Sequence, residues 1–411
     1  MTLRSSTIFA AIALCCAGSS AAQLGGLPGG LPAVPGVGSL PGTVDGNLSS
    51  LLDRPLGELG TTLRLARLER ITTVLHDNPA TLERDRDGAP ARRGVVLLID
   101  PDPAMLAIVN SWGFKAAAIE HVDGLDLAVS QVTIPAGMSL AQAQKLITKK
   151  LPGAIVSSDQ IFFQSGGNGA SGTAAAHVSS GPVQTPIGLV DGAPAQPVTG
   201  VKGFASGAPF ASNHGSAVAA LAYAAGARKI FVADVYGSDP AGGNALAIAQ
   251  AMGWLLGRGA KVISLSLVGP RSPLLERAVA SAQARGAVIV AAVGNDGPAA
   301  PPSYPASYSG VLTITGVDKR NRPLIEAGRA AHLDYAAPGA DMSALDRTGK
   351  LVPVRGTSFA VPLAAVRVAA ALERGGAPRG VIGALDAEAV PISRRRPDPQ
   401  SGRGLLCGAC R

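Results

Sequence analysis

Charged and aromatic residues are scarce in this sequence. Of its 411 residues, 16% are Asp, Glu, Lys or Arg, and 4% are Phe, Trp or Tyr. The net charge is +8, but the basic residues are scattered and few aromatic rings lie between them. Nucleic-acid-binding surfaces cluster their basic residues and interleave them with aromatics, so we expect no nucleic-acid partner.

Long apolar runs are also missing, because no stretch after the N-terminus is long and apolar enough to span a bilayer. Residues 1–22 have the pattern of a secretory signal peptide, with a positive charge, an apolar run and small residues at its end. We therefore expect export to the periplasm or the outside of the cell, without a stable membrane span. A lipoprotein anchor at Cys15 or Cys16 is the weaker alternative, because Leu14 and Cys15 precede them where small residues are required.

Cysteine is rare, and only Cys407 and Cys410 remain after removal of the predicted signal peptide. Two thiols at this spacing are half of a zinc site, and the sequence offers no second pair and no suitable histidine nearby. A redox role lacks the βαβ context that it needs. In an exported chain a small terminal disulfide is the simpler interpretation, and no metal site is predicted.

Changes in composition and periodicity divide the remaining chain into segments. They are a Gly/Pro linker with a helical segment (23–93), a small β-α-β-β-α-β unit (94–163), a Gly/Ser/Ala-rich cleavable linker (164–180), a large unit (181–406) and a Cys-containing tail (407–411). The β-α-β-β-α-β order is typical of the split ferredoxin-like motif. A linker of this composition is a preferred site for proteolytic nicking.

Helical periodicity in the first segment runs from Leu51 to Arg84. The apolar residues at helical spacing are Leu63, Leu65, Leu68, Ile71 and Leu75. We therefore expect one helix there, with these five side chains on its buried face.

In the large unit, apolar strands alternate with helical stretches. The predicted strands are 187–190, 230–233, 262–267, 287–292 and 311–315. Continuous apolar strands between helices indicate a mostly parallel sheet with helices on both faces, which is the α/β class. In such sheets, functional sites lie beyond the carboxyl ends of the strands.

Four residues lie where that rule predicts chemistry. Asp191 and Asn295 each follow a predicted strand, and His214 lies at the start of a helical stretch. Ser358 precedes a run of small apolar residues that includes Pro362, so we expect it to be a helix N-cap. Each residue alone has a simpler explanation, as a cap, a turn or a core residue.

Together the four residues supply what hydroxyl-based acyl transfer requires. A serine hydroxyl is a weak nucleophile and needs a neighbouring base, for which histidine is suited near neutral pH. The histidine needs a carboxylate that orients it, and the developing oxyanion needs hydrogen-bond donors such as an amide side chain.

The motifs that contain these residues resemble the subtilisin-like serine peptidase family. In chain order they are Asp191, His214-Gly215-Ser216-x-Val218-Ala219, Ser266-Leu267-Val268-Gly269-Pro270, Val293-Gly294-Asn295, Ala337-Pro338-Gly339 and Gly356-Thr357-Ser358-x-Ala360-x-Pro362. The order Asp, His, Ser is that of subtilisin, and the serine is not in the G-x-S-x-G elbow of lipases and esterases. The resemblance implies a subtilisin-like sheet preceded by a small α+β propeptide domain.

The resemblance also implies a serine-type endopeptidase with peptide or protein substrates. Asp191 would orient His214, the general base, and Ser358 would be the nucleophile. Asn295 would be the oxyanion donor. The residues implied in substrate binding are Ser266, Leu267, Val268, Gly269 and Ser303. Ser266, Leu267 and Val268 would pair with the extended substrate.

The unit 94–163 resembles the family's propeptide, an intramolecular chaperone and inhibitor, and 164–180 would be its autocleavage region. Gly192, Ser216, Phe359 and Val268 depart from the common pattern. Gly192 replaces the usual Thr or Ser after the aspartate, which leaves the support of that carboxylate open. Val268 stands where Gly is frequent, and Ser303 forms a small, uncharged pocket base. These two predict a neutral, size-limited preference.

We therefore expect a secreted, self-processing serine endopeptidase without a cofactor. Calcium remains possible, although no group of acidic residues has clear calcium-ligand spacing. The alternative is a catalytically silent subtilisin-fold protein that binds or regulates at the cell envelope. Nothing in the four residues requires inactivity.

Overall fold

The structure, a computed structural model, describes residues 56–165, 167–168, 181–239, 242–395 and 397–410. The predicted signal peptide and most of the segment 164–180 lie outside these ranges. None of the helices within them combines the length and the apolar character that crossing a bilayer requires.

An N-terminal helix and a short hairpin open the described chain. They are α1 (Leu56–Asp77), β1 (Leu82–Arg84) and β2 (Pro90–Arg92). The helix is shorter than the segment Leu51–Arg84 predicted from periodicity. It ends before Asn78-Pro79, because a residue that precedes proline is disfavoured in helical conformation.

The predicted apolar face of α1 was partly wrong. Leu63 and Ile71 are buried, but Leu65 and Leu68 are 55% and 45% exposed. Leu63 and Ile71 therefore define the packed side of the helix. Leu65 and Leu68 lie on the other side, facing solvent.

A small α+β unit follows. Its elements are β3 (Val95–Ile99), α2 (Pro103–Ser111), β4 (Lys115–Ala116), β5 (Glu120–His121), β6 (Ala128–Thr133), α3 (Leu140–Lys150) and β7 (Ile155–Ser157). The antiparallel sheet has the order β4-β6-β3-β7, and β5 also pairs with β6. Asp102 and Ser139 cap the two helices, the latter in a reciprocal capping box with Gln142.

Both faces of this small sheet are covered, which explains why β3 is apolar throughout. Val96 and Leu98 pack in one apolar cluster with α2 and α3. Leu97 and Ile99 point to the opposite face and join a cluster of the large unit. Because side chains alternate along a strand, one apolar strand can serve two cores.

Two very short strands lie at the junction of the unit predicted for 94–163 and the cleavable linker predicted for 164–180. They are β8 (Phe163–Gln164) and β9 (Gly167–Asn168). Each pairs with a strand of the large unit and not with the small sheet. Their partners are described with the site.

The large unit contains a parallel sheet. Its strands are β10 (Ile187–Asp191), β11 (Gly200–Gly203), β12 (Ile230–Asp234), β13 (Val262–Leu265), β15 (Val288–Ala292), β16 (Leu312–Val317) and β17 (Tyr335–Pro338). Among the described residues the order is β11-β12-β10-β13-β15-β16-β17, and every neighbouring pair is parallel. Three short strands stand apart from it, namely β14 (Leu267–Val268), β18 (Met342–Leu345) and β19 (Leu351–Arg355).

Helices cover both faces of the parallel sheet. They are α4 (Asn213–Ala224), α5 (Ala245–Gly257), α6 (Pro273–Ala284), α7 (Thr357–Glu373) and α8 (Val381–Glu388). One apolar cluster holds α4, α7 and α8 against one face, and a second holds α5 and α6 against the other. The predicted α/β class with a parallel sheet is confirmed.

The small unit docks on α5 through glycines. A Cβ atom at Gly253 would lie 1.9 Å from the Asp123 carbonyl oxygen, and one at Gly124 would lie 2.3 Å from the Gly253 carbonyl oxygen. Gly124 also has φ +78°, a conformation that favours glycine. The two backbones therefore touch directly, and a methyl group at position 253 would separate them.

The small unit also caps α5. The N-cap residue Asn244 makes no side-chain cap of its own, and Asp159 accepts instead from the Leu246 N–H at 2.9 Å. The Asn244 side chain donates to the same carboxylate at 2.6 Å. Burial raises the pKa of Asp159, although these donors oppose the change. A residue of the small unit thus provides the N-terminal cap of a helix in the large unit.

The glycine contact can be tested by Gly253→Ala in a Ser358→Ala background, which keeps the chain whole if the expected self-cleavage occurs. The added methyl should lower Tm by a few degrees, because overpacking costs about 1–3 kcal/mol. Gly257→Ala is the matched control on the same helix, since a Cβ there meets nothing within 4 Å. That variant should keep or raise Tm, and equal effects of both changes would contradict direct backbone contact.

Candidate functional site

The side chains of Asp191, His214 and Ser358 form one hydrogen-bonded chain. His214 Nδ1 lies 2.9 Å from both carboxylate oxygens of Asp191. His214 Nε2 lies 3.0 Å from the Ser358 hydroxyl. The exposed fractions of the His214 and Asp191 side chains are 8% and 1%. Three residues that are far apart in the sequence therefore have the contacts that activation of a serine hydroxyl requires.

The fold sets each position. Asp191 is the last residue of β10, and His214 is the second residue of α4, whose N-cap Ser212 accepts from the Gly215 N–H at 2.9 Å. A Cβ atom at Gly215 would lie 2.0 Å from the Gly192 carbonyl oxygen. The glycine after His214 therefore lets α4 approach the end of β10 closely enough for the ring to reach Asp191.

Ser358 is not the N-cap that the sequence predicted. The cap is Gly356, with φ 144°, and α7 begins at Thr357, so Ser358 is the second residue of the helix. Gly356 has no side chain that could accept a hydrogen bond. The first N–H groups of the helix therefore donate to other partners. Thr357 N–H donates to Asn295 Oδ1 at 3.0 Å, and Ser358 N–H donates to a carbonyl outside the helix.

Pro362 lies beyond the first turn of α7, where its missing N–H would normally leave the carbonyl of residue 358 without a helical partner. The Ser266 hydroxyl donates to that carbonyl at 3.0 Å. Ser266 is also where the predicted strand 262–267 divides into β13 and β14. Its side chain thus compensates for the proline directly behind the nucleophile candidate.

Asn295 lies beside the start of α7. Its Oδ1 accepts from Thr357 N–H, an assignment that follows from the hydrogen bond because an amide nitrogen cannot accept from an N–H. The Asn295 Nδ2 group is thereby left as a donor on the other side of the amide. The sequence prediction of a donor at this position agrees with this orientation.

The chain's own residues occupy the groove beside Ser358. Strand β8 pairs antiparallel with β14, with Gln164 opposite Leu267 and Phe163 opposite Val268. The next residue, Ser165, donates through its N–H to the Ser266 carbonyl at 3.2 Å. Its own carbonyl accepts from Ser358 N–H at 3.0 Å. The Ser165 carbonyl, which belongs to the segment predicted as a cleavable linker, is therefore held at the nucleophile candidate.

The pairing continues beyond that carbonyl. Strand β9 pairs antiparallel with β19, with Gly167 opposite Arg355 and Asn168 opposite Val354. The segment is thus held as an extended strand before and after the bond between Ser165 and Gly166. Added strands of this kind are a general mode of peptide recognition.

Phe162 anchors the segment upstream. Its side chain is fully buried, and a Cβ atom at Gly269 would lie 2.4 Å from its ring, so the glycine provides the space. The Phe162 carbonyl accepts from the Tyr236 hydroxyl at 3.3 Å. Burial and the negative charges of Asp191 and Asp234 raise the pKa of Tyr236 well above its ordinary value, which keeps this donor protonated.

The Ser165 side chain is buried and lies beside the first residue of α7. Its hydroxyl lies 3.2 Å from the Thr357 hydroxyl, which accepts from Gly294 N–H at 3.1 Å. Val268 is buried and lies against Gly294. A Cβ atom at Gly294 would be 3.1 Å from a methyl group of Val268. Ser303 donates to the Val293 carbonyl at 2.8 Å and presents no charge.

Helix α1 contacts both the occupying segment and the Asn295 loop. Arg70 pairs with Asp296 at 2.9 Å, and Arg67 lies 3.3 Å from the same carboxylate. The Arg70 guanidinium also lies 4.8 Å above the ring of Phe163. No function was predicted for this helix from the sequence. Its cationic side chains bind the residue next to the predicted oxyanion donor.

Two predictions concern metals and cysteines. Within the described residues, no three or more His, Cys, Asp or Glu side chains are grouped so that they could hold a metal ion. Cys407 and Cys410 are joined by a disulfide. The absence of a cofactor stays a prediction.

Comparison with known proteins identifies the class of the large unit. Residues 196–379 match the model of the Subtilase family. His214, Asn295 and Ser358 lie within the match, and Asp191 lies just before it. Over these residues the large unit is therefore similar to the Subtilase family, and the predicted resemblance to the subtilisin-like serine peptidases is confirmed.

Individual relatives support the same assignment over part of their length. The chain is 36% identical to subtilisin BL of Lederbergia lenta over 135 residues, which are 33% of this chain and 49% of that protein. It is 34% identical to thermitase of Thermoactinomyces vulgaris over 152 residues, 37% of this chain and 53% of that protein. The alignments thus span about half the length of these relatives.

A solved structure supports the fold. Fervidolysin from Fervidobacterium pennivorans, described as a keratinolytic enzyme related to subtilisin, matches with a TM-score of 0.63 at 18% identity. The match covers 80% of this chain and 63% of that one. The subtilisin-like fold predicted from the sequence is confirmed.

The Asn295 geometry predicts a loss of turnover in the processed protein. Asn295→Ala should lower kcat for peptide hydrolysis about 10²–10³-fold, the usual cost of removing one oxyanion donor. Asp296→Ala is the neighbouring control and should leave kcat unchanged once α1 has been removed. Steady-state kinetics, with circular dichroism to verify the fold, measures both. An unchanged kcat in Asn295→Ala would exclude that side chain from the oxyanion hole.

Proposed function

We propose that this protein is an exported serine endopeptidase, made as a precursor, that cuts its own chain between Ser165 and Gly166. One observation carries the proposal. The Ser165 carbonyl accepts from the Ser358 N–H, 3.0 Å away, while the Ser358 hydroxyl contacts His214. A carbonyl held beside an activated hydroxyl is the starting arrangement of acyl transfer.

In the first half of the proposed reaction, Ser358 Oγ attacks the Ser165 carbonyl carbon and its proton passes to His214 Nε2. Asp191 accepts the Nδ1–H bond and stabilises the imidazolium that forms. The Ser358 N–H and the Asn295 Nδ2 group stabilise the oxyanion. When the tetrahedral intermediate collapses, the carbon–nitrogen bond to Gly166 breaks, and His214 returns the proton to the departing amine.

In the second half, water replaces the amine. His214 accepts a proton from the water, whose oxygen attacks the acyl carbon of Ser165 bound to Ser358. The ester bond then breaks and His214 returns the proton to Ser358 Oγ. The products are a carboxylate at Ser165, a new N-terminus at Gly166 and the original enzyme side chains.

We propose that residues 56–165 inhibit the enzyme until they leave. Ser358 is fully buried and the His214 side chain is 8% exposed while this segment is bound, so another polypeptide has no access to them. Phe162 in its pocket and the Arg70–Asp296 ion pair hold the segment on both sides of the groove. This role extends the propeptide function expected of 94–163 to helix α1.

After release, extended polypeptides would bind along β14 in place of β8. The Ser165 side chain is buried beside the uncharged Thr357 hydroxyl, which supports a preference for small, uncharged residues at the cleaved bond. Residues 1–22 support export. No cofactor enters the proposed mechanism.

The proposal predicts different fates for wild type and Ser358→Ala. Wild type should yield a fragment that begins at Gly166, and Ser358→Ala should remain full length after signal removal. N-terminal sequencing and intact mass measurement distinguish the two. Ser111→Ala changes an exposed hydroxyl at the end of α2 and should process like wild type.

Processing of Ser358→Ala to the same fragment would overturn self-cleavage. A fragment of the wild type that begins elsewhere would overturn only the assignment of the bond. Failure of both proteins to process, together with no peptide hydrolysis, would favour a silent subtilisin-fold protein.

A further inference from the structure

The residue before Ser165 contacts the catalytic carboxylate candidate directly. The Gln164 side-chain amide donates from Nε2 to Asp191 Oδ1 at 2.9 Å. The same oxygen accepts from the Gly192 N–H at 2.7 Å and from His214 Nδ1 at 2.9 Å. A side chain of the bound segment is therefore part of the hydrogen-bond shell of Asp191.

Gly192 leaves the space that this contact uses. A Cβ atom at Gly192 would lie 2.4 Å from the Ser212 hydroxyl and 3.5 Å from Gln164 Nε2. Any longer side chain at position 192 would therefore compete with Ser212 and the glutamine for the same volume. The missing side chain noted in the sequence is thus compensated by a side chain from the segment in the groove.

The chemistry of Asp191 favours an amide donor at this point. The carboxylate is 1% exposed, and a buried charge is costly unless donors surround it. A glutamate in place of Gln164 would bring a second carboxylate against Asp191, which repels it. A methionine of similar length would fill the space but would leave the oxygen with one donor fewer.

We propose that Asp191 and the space over Gly192 form a subsite that selects glutamine as the penultimate residue, the one before the residue whose carbonyl is attacked. This inference rests on the proposed function. It defines the substrate class as extended polypeptides with glutamine followed by a small, uncharged residue at the cleaved bond. The substrate then supplies one donor to the carboxylate that orients His214.

Peptides test the subsite on the processed wild-type enzyme. The reference peptide has the sequence of residues 161–168, Ile-Phe-Phe-Gln-Ser-Gly-Gly-Asn. Replacing its glutamine by methionine should lower kcat/KM about 10–100-fold, the usual effect of one hydrogen bond to a charged group. Replacing it by glutamate should lower kcat/KM further. Leucine at the position of Phe163, which lies half-buried against Arg70 of the departed α1, is the control and should change kcat/KM little.

The precursor offers an independent test within the whole chain. Gln164→Met and Gln164→Glu should slow the appearance of the fragment that begins at Gly166, with the larger effect for glutamate, and Ser111→Ala should not. Unfolding of each variant in the Ser358→Ala background shows whether the precursor is folded.

The outcomes separate the two proposals. If the glutamine and methionine peptides are cleaved equally well, the subsite is wrong and the endopeptidase stands. If kcat/KM is the same for the glutamate peptide and the glutamine peptide, the contact with Asp191 does not form during turnover and the subsite is again wrong. If no peptide is cleaved and the precursor stays whole, both proposals fail.

Discussion

The hydrogen bond between the Ser358 N–H and the Ser165 carbonyl is the contact on which the arrangement of the occupied groove depends. A single bond of this kind stabilises a fold by only about 1 kcal/mol. The strands on either side, the buried Phe162 ring and the ion pairs of α1 add to it. Together they place one carbonyl beside one hydroxyl, and such positioning can replace much of the entropy cost of a bimolecular encounter.

Several residues around that bond are fixed by the space or the donors that they lack. Gly215 and Gly269 leave room for a backbone and for a ring, respectively. Pro362 lacks an N–H, and the Ser266 hydroxyl replaces it at the Ser358 carbonyl. The first N–H groups of α7 are left to Asn295 and Ser165 because the cap, Gly356, has no side chain. The missing side chains and the missing N–H group therefore determine the geometry of this site as much as the groups that are present.

The sequence was sufficient for five strands of the parallel sheet, although not for its edge strands β11 and β17, and for the residues that meet at the ends of the strands. Asp191 and Asn295 follow apolar strands, and His214 begins a helix, so the parallel-sheet rule brings them together without knowledge of the other strands. The position of Ser358 in its helix was wrong by two residues. A serine before an apolar run looks like a cap, and the partner that takes its N–H, Ser165, lies 193 residues earlier.

The occupied groove could not be predicted for a related reason. Gln164 and Ser165 stand at the edge of a Gly/Ser-rich segment, and two residues have too little periodicity to predict a strand. Phe163 and Gln164 form β8 through pairing with the edge that β14 offers. The exposed side of α1 was mispredicted similarly, since leucine spacing alone does not tell which side meets the loop at Asp296.

The cap that Asp159 provides for α5 has a consequence for the life of the molecule. A first helical turn is the unfavourable step in forming a helix, and a carboxylate at its N–H groups favours that step. Here the carboxylate belongs to the part of the chain that leaves in the proposed processing. After the proposed cleavage, the remaining chain would keep its fold without the carboxylate that caps α5. The lifetime of that fold would depend on how slowly it unfolds, because the carboxylate that favours the first turn of α5 would be absent during refolding.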